Sequence, residues 1–411
     1  MKHQIVIVGG GAAGIAVASS LVRKDVSLDI AIIEPSEKHY YQPAFTLVGG
    51  GAFKPEKTVR DEKNLIPNGV KWIKQAVTAF EPDNNQVKLG DETSIEYEYL
   101  VVCPGIQLDW HKIDGLQETI GKNGVCSNYL RQYAEYTWQC IQNFSGGRAI
   151  FTQPAMPIKC AGAPQKIMYL ASDYFRKNKI LDASDVEFFP QGPAMFGVPT
   201  FAKPLEKVVA RYGINVNFGH NLVGINGETK EAVFEVVGGD NAGDTVTRKF
   251  DMIHVTPPQS APDFIKESPL ADEAGWVDVD PHTLQHKRYN NIFSLGDATS
   301  TPNAKTAAAI RLQSPVVIQN LLALMKDKSF AGTYDGYGSC PLVTSYQSAI
   351  LAEFCYDGKV TPSIPFLDPT KERYSMWLMK QKFLPVLYWD WMLKGIEFDI
   401  PHKERPHLLP K

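Results

Sequence analysis

The run Gly9-Gly10-Gly11-Ala12-Ala13-Gly14 constrains this chain more than any other stretch. It follows Ile5-Val6-Ile7-Val8, an unbroken apolar segment suited to a parallel strand buried on both faces. An apolar-periodic helix over residues 15–22 comes next, and a second strand, residues 30–33, ends on Glu34. In Gly9-x-Gly11-x-x-Gly14 each glycine has a task. Gly9 permits a tight turn, Gly11 lets the backbone approach a pyrophosphate, and Gly14 allows close helix–strand packing. Ala12 and Ala13 open the helix, where unpaired N–H groups and the positive dipole end favour phosphate. Glu34, 20 residues past Gly14, is placed to accept hydrogen bonds from ribose hydroxyls. The chain therefore opens with a dinucleotide-binding unit.

At 411 residues it is too long for one simple core. Alternation over residues 70–89 predicts short antiparallel strands, and residues 99–103 form a buried strand stopped by Pro104-Gly105. Residues 149–152 start a second α/β unit, with a helix over 165–176 and strands at 186–189 and 214–218. Residues 292–297 return as a strand, followed by a helix over 306–325. The predicted fold is α/β, with two Rossmann-like dinucleotide-binding domains and a C-terminal amphipathic, membrane-associated segment. Its expected parts are residues 1–148 with 285–325, residues 149–284, and residues 326–411.

A net charge of −3 gives no reason to expect nucleic acid as a partner. No window approaches about 18 consecutive apolar residues, and no secretory signal precedes the first strand, so an untargeted protein is expected. The six cysteines lack zinc spacing, which predicts no metal, and Cys103, Cys140 and Cys355 read as small buried hydrophobes within apolar strands or helices.

FAD rather than NAD is the cofactor expected. Ile292-Phe293-Ser294-Leu295-Gly296-Asp297 resembles the second flavin signature of flavoproteins with two dinucleotide-binding domains, in which the aspartate binds the ribityl chain. Pro104 and Gly105 end a strand resembling the linking motif of the same superfamily. Where relatives carry a second glycine fingerprint for NAD(P)H, this chain has Pro154, Pro157 and Pro164, which remove N–H donors and backbone freedom. That middle segment instead carries Cys160, next to Lys159 and before a helix, two features that lower a thiol pKa. Cys340 lies far away, in the turn-rich run Asp335-Gly336-Tyr337-Gly338-Ser339-Cys340-Pro341.

Several blocks in order resemble the sulfide:quinone oxidoreductase family, in particular its mitochondrial-type group. They are His39-Tyr40-Tyr41-Gln42-Pro43, Lys159-Cys160-Ala161-Gly162-Ala163-Pro164-Gln165-Lys166, His254-Val255-Thr256-Pro257-Pro258, Ala274-Gly275-Trp276-Val277-Asp278-Val279, Lys305-Thr306-Ala307-Ala308-Ala309 and residues 334–344. The resemblance implies that Cys160 and Cys340 face the flavin and cycle through disulfide and persulfide states, oxidising hydrogen sulfide. It implies FAD contacts from Glu34, Gln42, Val77 (through its backbone), Asp297, Lys305, Thr306, Ala307 and Ala308. It also implies electron transfer to a membrane quinone and release of sulfane sulfur to a small acceptor. Some bacterial members use a third cysteine; here Cys126 is read as structural.

Residues 371–398 interleave aromatic and basic side chains, a pattern suited to helices lying on a membrane surface, with Pro385 expected to split two short helices. Trp377 and Phe383 are nominated to flank the quinone. A peripheral seat on the cytoplasmic face of a bacterial inner membrane is expected, with the mitochondrial inner membrane after processing as the alternative. A helix pair capping the core, or forming a homo-oligomer contact, is the competing use of the same residues. The rival functions are a type II NADH:quinone oxidoreductase, a flavoprotein subunit that reduces a cytochrome, and a non-catalytic sulfide or redox sensor.

Overall fold

The computed structural model describes residues 1–398 and 400–409. Strand Lys2–Val8 lies between Ile30–Ile33 and Ser94–Val102, parallel to both, with Ile5 opposite Ile30 and Val8 opposite Val102. All three carry apolar runs because helices or loops cover both faces of this sheet. Ile292–Ser294 joins the far side of Ser94–Val102, so a segment almost 200 residues away completes the first sheet. The antiparallel reading of residues 70–89 holds for the hairpin of Val77–Glu81 with Gln86–Leu89. It fails for Lys71–Ile73, which pairs parallel with Ile30–Ile33 and extends the sheet. There the Ile73 carbonyl accepts the Glu34 N–H at 3.0 Å.

A second parallel sheet runs in the order Val125–Cys126, Met252–His254, Gly147–Gln153, Ser184–Pro190, Asn215–Val216. Helix Ala163–Lys177 packs on it, and Cys126 lies in its apolar core with the half-buried Cys140 packed against that core. The hairpin of Gly338–Ser345 with Ser348–Phe354 sets Cys340 opposite Ala352 and packs against that helix. Cys355 lies just past this hairpin rather than within it, its sulfur 3.2 Å from both Asp335 Oδ2 and Thr361 Oγ1.

Helix Ala307–Leu324 has the length and mean hydropathy of a bilayer span, yet half of it is buried inside the protein. It is a core helix whose N-terminus, capped by Thr306, opens toward the nucleotide cleft. The C-terminal region does not divide at Pro385. Residues 374–394 stay helical throughout, passing through wide turns at Met379–Phe383 and Leu387–Trp391 on either side of Leu384–Val386. The wider hydrogen-bond loops of those turns absorb the missing N–H without a break. This segment docks on helix Ala12–Lys24: Ser19 Oγ donates to the Leu393 carbonyl at 2.8 Å, and Ser20 Oγ donates to that of Gly395.

Candidate active site

A cavity of about 470 Å³ links the glycine turn, the cysteine pair and the C-terminal helix. At its nucleotide end Gly9 holds φ +103°, and a Cβ there would lie 2.5 Å from the Cys103 carbonyl oxygen. A Cβ on Gly14 would sit 1.9 Å from the Gly9 oxygen, so these two glycines serve backbone packing behind the cavity. Gly11 has open space around it, and it lines the cavity with Ala12 and Ala13. Glu34 also lines it and accepts the Gly10 N–H at 2.8 Å. Below the turn, buried His39 joins three groups. Its Nδ1 lies 3.2 Å from the Gly10 oxygen and 3.1 Å from Glu62 Oε2, and its Nε2 lies 2.6 Å from the Tyr388 hydroxyl.

Gln42, Pro104, Gly105, Asp297, Lys305, Thr306, Ala307 and Ala308 all line the same cavity. The Lys305 ammonium donates to the Asp297 and Thr299 carbonyls at 2.8 and 3.0 Å and lies 3.8 Å from the centre of the Trp276 ring. Burial pulls its pKa down to about 8. Burial also raises the Asp297 carboxyl, despite the opposing charge of Lys305. The glycine turn, Glu34, and a buried carboxyl beside a lysine line one cleft, and this donor and acid set fits a flavin cofactor. The Val77 side chain is buried in the core of the first sheet, so the contact expected of this residue is one of its backbone.

Cys160 lines the cleft, and the buried Cys340 sits directly behind it, the two Sγ atoms 3.8 Å apart although 180 residues separate them in sequence. Cys160 holds φ +56°, a left-handed conformation that costs a non-glycine residue free energy. Its N–H donates to the Lys305 carbonyl at 2.9 Å, which fixes the cysteine to the predicted flavin-contact loop. The ammonium beside Cys160 belongs to Lys166, at 2.9 Å from Sγ. The expected partner, Lys159, turns away to Gln42 Oε1 at 2.7 Å. Cys160 is driven well below the usual thiol range by the Cys340 hydrogen bond, against the cost of burial and with help from Lys166 and Lys380. Cys340 is raised correspondingly. The proton is therefore held more tightly on Cys340 than on Cys160.

The third wall is the C-terminal helix, which presents Met379, Lys380, Phe383, Leu384, Leu387, Tyr388 and Met392 to the cavity. Wide turns keep side chains about four residues apart on one face. Phe383 lines the cavity and is 52 % exposed at its mouth, whereas Trp377 is 5 % exposed and packs in a core cluster with Leu47, Leu170 and Val343. Trp377 thus falls on the opposite face from Phe383. Lys380 was missed from sequence. It is buried, donates to the Pro43 carbonyl at 2.8 Å, and is lowered to about 8 by burial and then by Lys166.

Two Rossmann-like sheets, a cleft that fits a flavin and a cysteine pair at its wall define a flavin-dependent disulfide oxidoreductase. Residues 3–135 match the pyridine nucleotide-disulphide oxidoreductase family. The chain is 49 % identical over 395 residues to the mitochondrial sulfide:quinone oxidoreductase of Dictyostelium discoideum, covering 95 % of this chain and 86 % of that one. It is 45 % identical over 393 residues to the mitochondrial enzyme of the same name from Mus musculus, covering 96 % and 87 %. The structure of the sulfide:quinone oxidoreductase of Aquifex aeolicus superposes with a TM-score of 0.76 at 20 % identity, over 96 % of this chain and 92 % of that one. The chain belongs to the sulfide:quinone oxidoreductase family.

Proposed function

We propose that this sulfide:quinone oxidoreductase carries FAD in the cleft and oxidises sulfide at Cys160 and Cys340. The observation that carries the reading is the cysteine pair at the wall of the cleft, with the Lys166 ammonium 2.9 Å from Cys160 Sγ. With the pair oxidised, HS⁻ attacks Cys340 Sγ, the disulfide breaks, and Cys160 leaves as the thiolate. The direction follows from acidity, since the sulfur of lower pKa is the better leaving group and Lys166 neutralises its charge. The products are a Cys340 persulfide, a Cys160 thiolate and one proton. A small acceptor then removes the outer sulfur, leaving two thiolates whose reoxidation to the disulfide releases two electrons. FAD, when bound, takes that electron pair and hands it on to quinone. Lys305 sets positive charge beside the flavin loop, and Asp297 is the group for the ribityl hydroxyls.

Phe383 is the aromatic residue placed to flank a quinone ring, beside Leu384 and Leu387. Tyr374, Leu378, Phe383, Val386 and Trp391 are exposed on the C-terminal helix among Lys371, Lys382 and Lys394, which supports seating on a membrane surface. The relatives named mitochondrial favour the mitochondrial inner membrane as that surface over a bacterial one. The prolines before Cys160 argue against a second nucleotide there, and so against NADH as donor. Anaerobic mixing of the purified protein with sulfide, and separately with NADH, tests the reading. Sulfide should bleach the flavin, soluble quinone should restore its colour, and NADH should do neither. Bleaching by NADH alone overturns it.

A further inference from the structure

Asp335 and Cys355 flank the two ends of the hairpin that carries Cys340, and His402 comes from the C-terminal tail. Three atoms of these side chains converge. Asp335 Oδ2 lies 3.2 Å from Cys355 Sγ and 2.9 Å from His402 Nε2. All three fall within 4.8 Å of one another, and among the described residues this is the one such cluster of metal-ligating groups. Separations of 20 and 67 residues from Asp335 leave no spacing motif in the sequence, so the cysteine pattern that predicts no metal is blind to it.

Backbone ties aim two of the converging atoms. Asp335 Oδ1 accepts the Tyr337 N–H at 3.0 Å, which leaves Oδ2 facing the sulfur. His402 Nδ1 donates to the Ile400 carbonyl at 3.3 Å, which leaves Nε2 as the ligand nitrogen, the usual arrangement behind a metal-bound histidine. The Tyr337 ring packs on the imidazole, their centres 4.3 Å apart. Cys355 is buried, and its sulfur also meets the Thr361 hydroxyl at 3.2 Å. A cysteine kept only as a small hydrophobe has no need of a carboxylate, an imidazole and a hydroxyl around its sulfur.

We propose that Asp335, Cys355 and His402 bind one zinc-type divalent cation, which pins the C-terminal tail to the hairpin carrying Cys340. Sulfur, imidazole nitrogen and carboxylate oxygen together select zinc over calcium or magnesium, which take oxygen ligands. Zinc bonds of about 2.3 Å to sulfur and about 2.0 Å to nitrogen and oxygen set tetrahedral ligand atoms roughly 3.3–3.6 Å apart. The observed 3.2 and 2.9 Å need to open only slightly. Binding displaces the thiol proton of Cys355 and the proton between His402 and Asp335. Thiolate and carboxylate then balance the two positive charges. The Asp335 side chain is 53 % exposed, so the fourth position faces water. The tail has work to do at the cleft, because Phe398 and Ile400 line it beside Arg311 and Tyr337. Arg311 donates to the Phe398 carbonyl at 3.2 Å, and the cation adds a second anchor at His402.

The test uses the full flavin-loaded protein, stripped of metal by a chelator and titrated anaerobically with Co²⁺, whose tetrahedral thiolate complexes absorb in the red, beyond oxidised flavin. One Co²⁺ per chain should give those bands, and Zn²⁺ should abolish them by displacement. A Cys160→Ser, Cys340→Ser background should keep them, whereas Cys355→Ser and His402→Gln should each lose them at the same Co²⁺ concentration. Zn²⁺ at about a hundred times its Kd should slow proteolytic release of the tail about a hundredfold, and should leave His402→Gln unprotected. If Cys355→Ser does not fold, His402→Gln, altered only on the tail, decides. Absence of the bands in the unmodified protein, their loss with Cys160 and Cys340, their survival in His402→Gln, or equal zinc protection of that variant overturns the proposal.

Discussion

The Lys166 ammonium lies 2.9 Å from Cys160 Sγ, six residues along the chain and one turn into helix Ala163–Lys177. Cys340, on the hairpin opposite, shares the charge of Lys166 yet is raised where Cys160 is lowered, and this asymmetry gives the two sulfurs different roles. Replacing Lys166 with Met should therefore raise the Cys160 pKa. Alkylation of reduced enzyme by iodoacetamide at pH 6 should slow at least about tenfold, one pKa unit, with Cys160 still the first site modified. An unchanged pH profile would show that Cys340 alone sets the acidity.

Cys160→Ser and Cys340→Ser should each retain the flavin spectrum, because neither side chain belongs to the glycine turn or the Asp297 loop. Both should lose bleaching by sulfide. Normal bleaching in either variant would refute the role of the pair.

The glycine turn allows a contrast within six residues. Gly14→Ala forces a Cβ to 1.9 Å from the Gly9 oxygen, whereas Gly11→Ala meets nothing within 4 Å. The first should yield little folded, flavin-bearing protein. The second should fold, and any loss should appear as weaker flavin retention. Equal stability of the two by thermal melting would contradict the packing described.

Val386→Glu with Trp391→Glu places charge on exposed apolar positions of the C-terminal helix. Cosedimentation with anionic phospholipid vesicles should fall sharply while flavin content stays constant. Retained vesicle binding would move the membrane contact elsewhere.

A pH effect is expected at the end of the chain, where His402 Nε2 lies 2.9 Å from Asp335 Oδ2. The Asp335 hydrogen bond raises His402 from 6.5 to about 10. Burial, the largest single influence, raises Asp335, but hydrogen bonds from His402, Cys355 and the Tyr337 N–H, with the His402 charge, together outweigh it and hold the acid at about 2, below 3.8. The histidine contribution is complete below pH 6.5 and is lost as pH climbs through about 10. The aspartate contribution is complete above pH 3.8 and is lost as pH falls through about 2. Proteolytic release of the C-terminal residues, normalised to a reference substrate, should accelerate between pH 7 and 10. His402→Gln should abolish that dependence.

The nucleotide end was readable because its physics is local: strand, turn, helix and acid fall within 34 residues, and each glycine answers a steric demand. The pairing of Cys160 with Cys340 was legible only through the family resemblance, since nothing in local spacing says that residues 180 apart will meet. Assigning Lys159 to Cys160 failed for a related reason. Adjacent residues on a turn point in different directions, while a lysine one helical turn onward reaches back. Lys166 and Lys380 did leave a trace, each a lone cation among apolar neighbours, Ala163 with Ile167 and Trp377 with Leu384. Phe383 and Trp377 could not be separated by pattern because the wide turns around Pro385 alter the helical period on which such a pattern rests.

The tie between Ser19 and Leu393, together with the link from His39 to Tyr388, has a consequence for anyone who would shorten this protein. A soluble reductase cannot be made by trimming the chain before residue 374. The cut would strip the back of the first helix, expose Leu21 and its apolar neighbours, and leave His39 without its buried partner beneath the glycine turn. The last helix is a structural wall of the nucleotide fold, so solubility has to be engineered on its outer face, residue by residue.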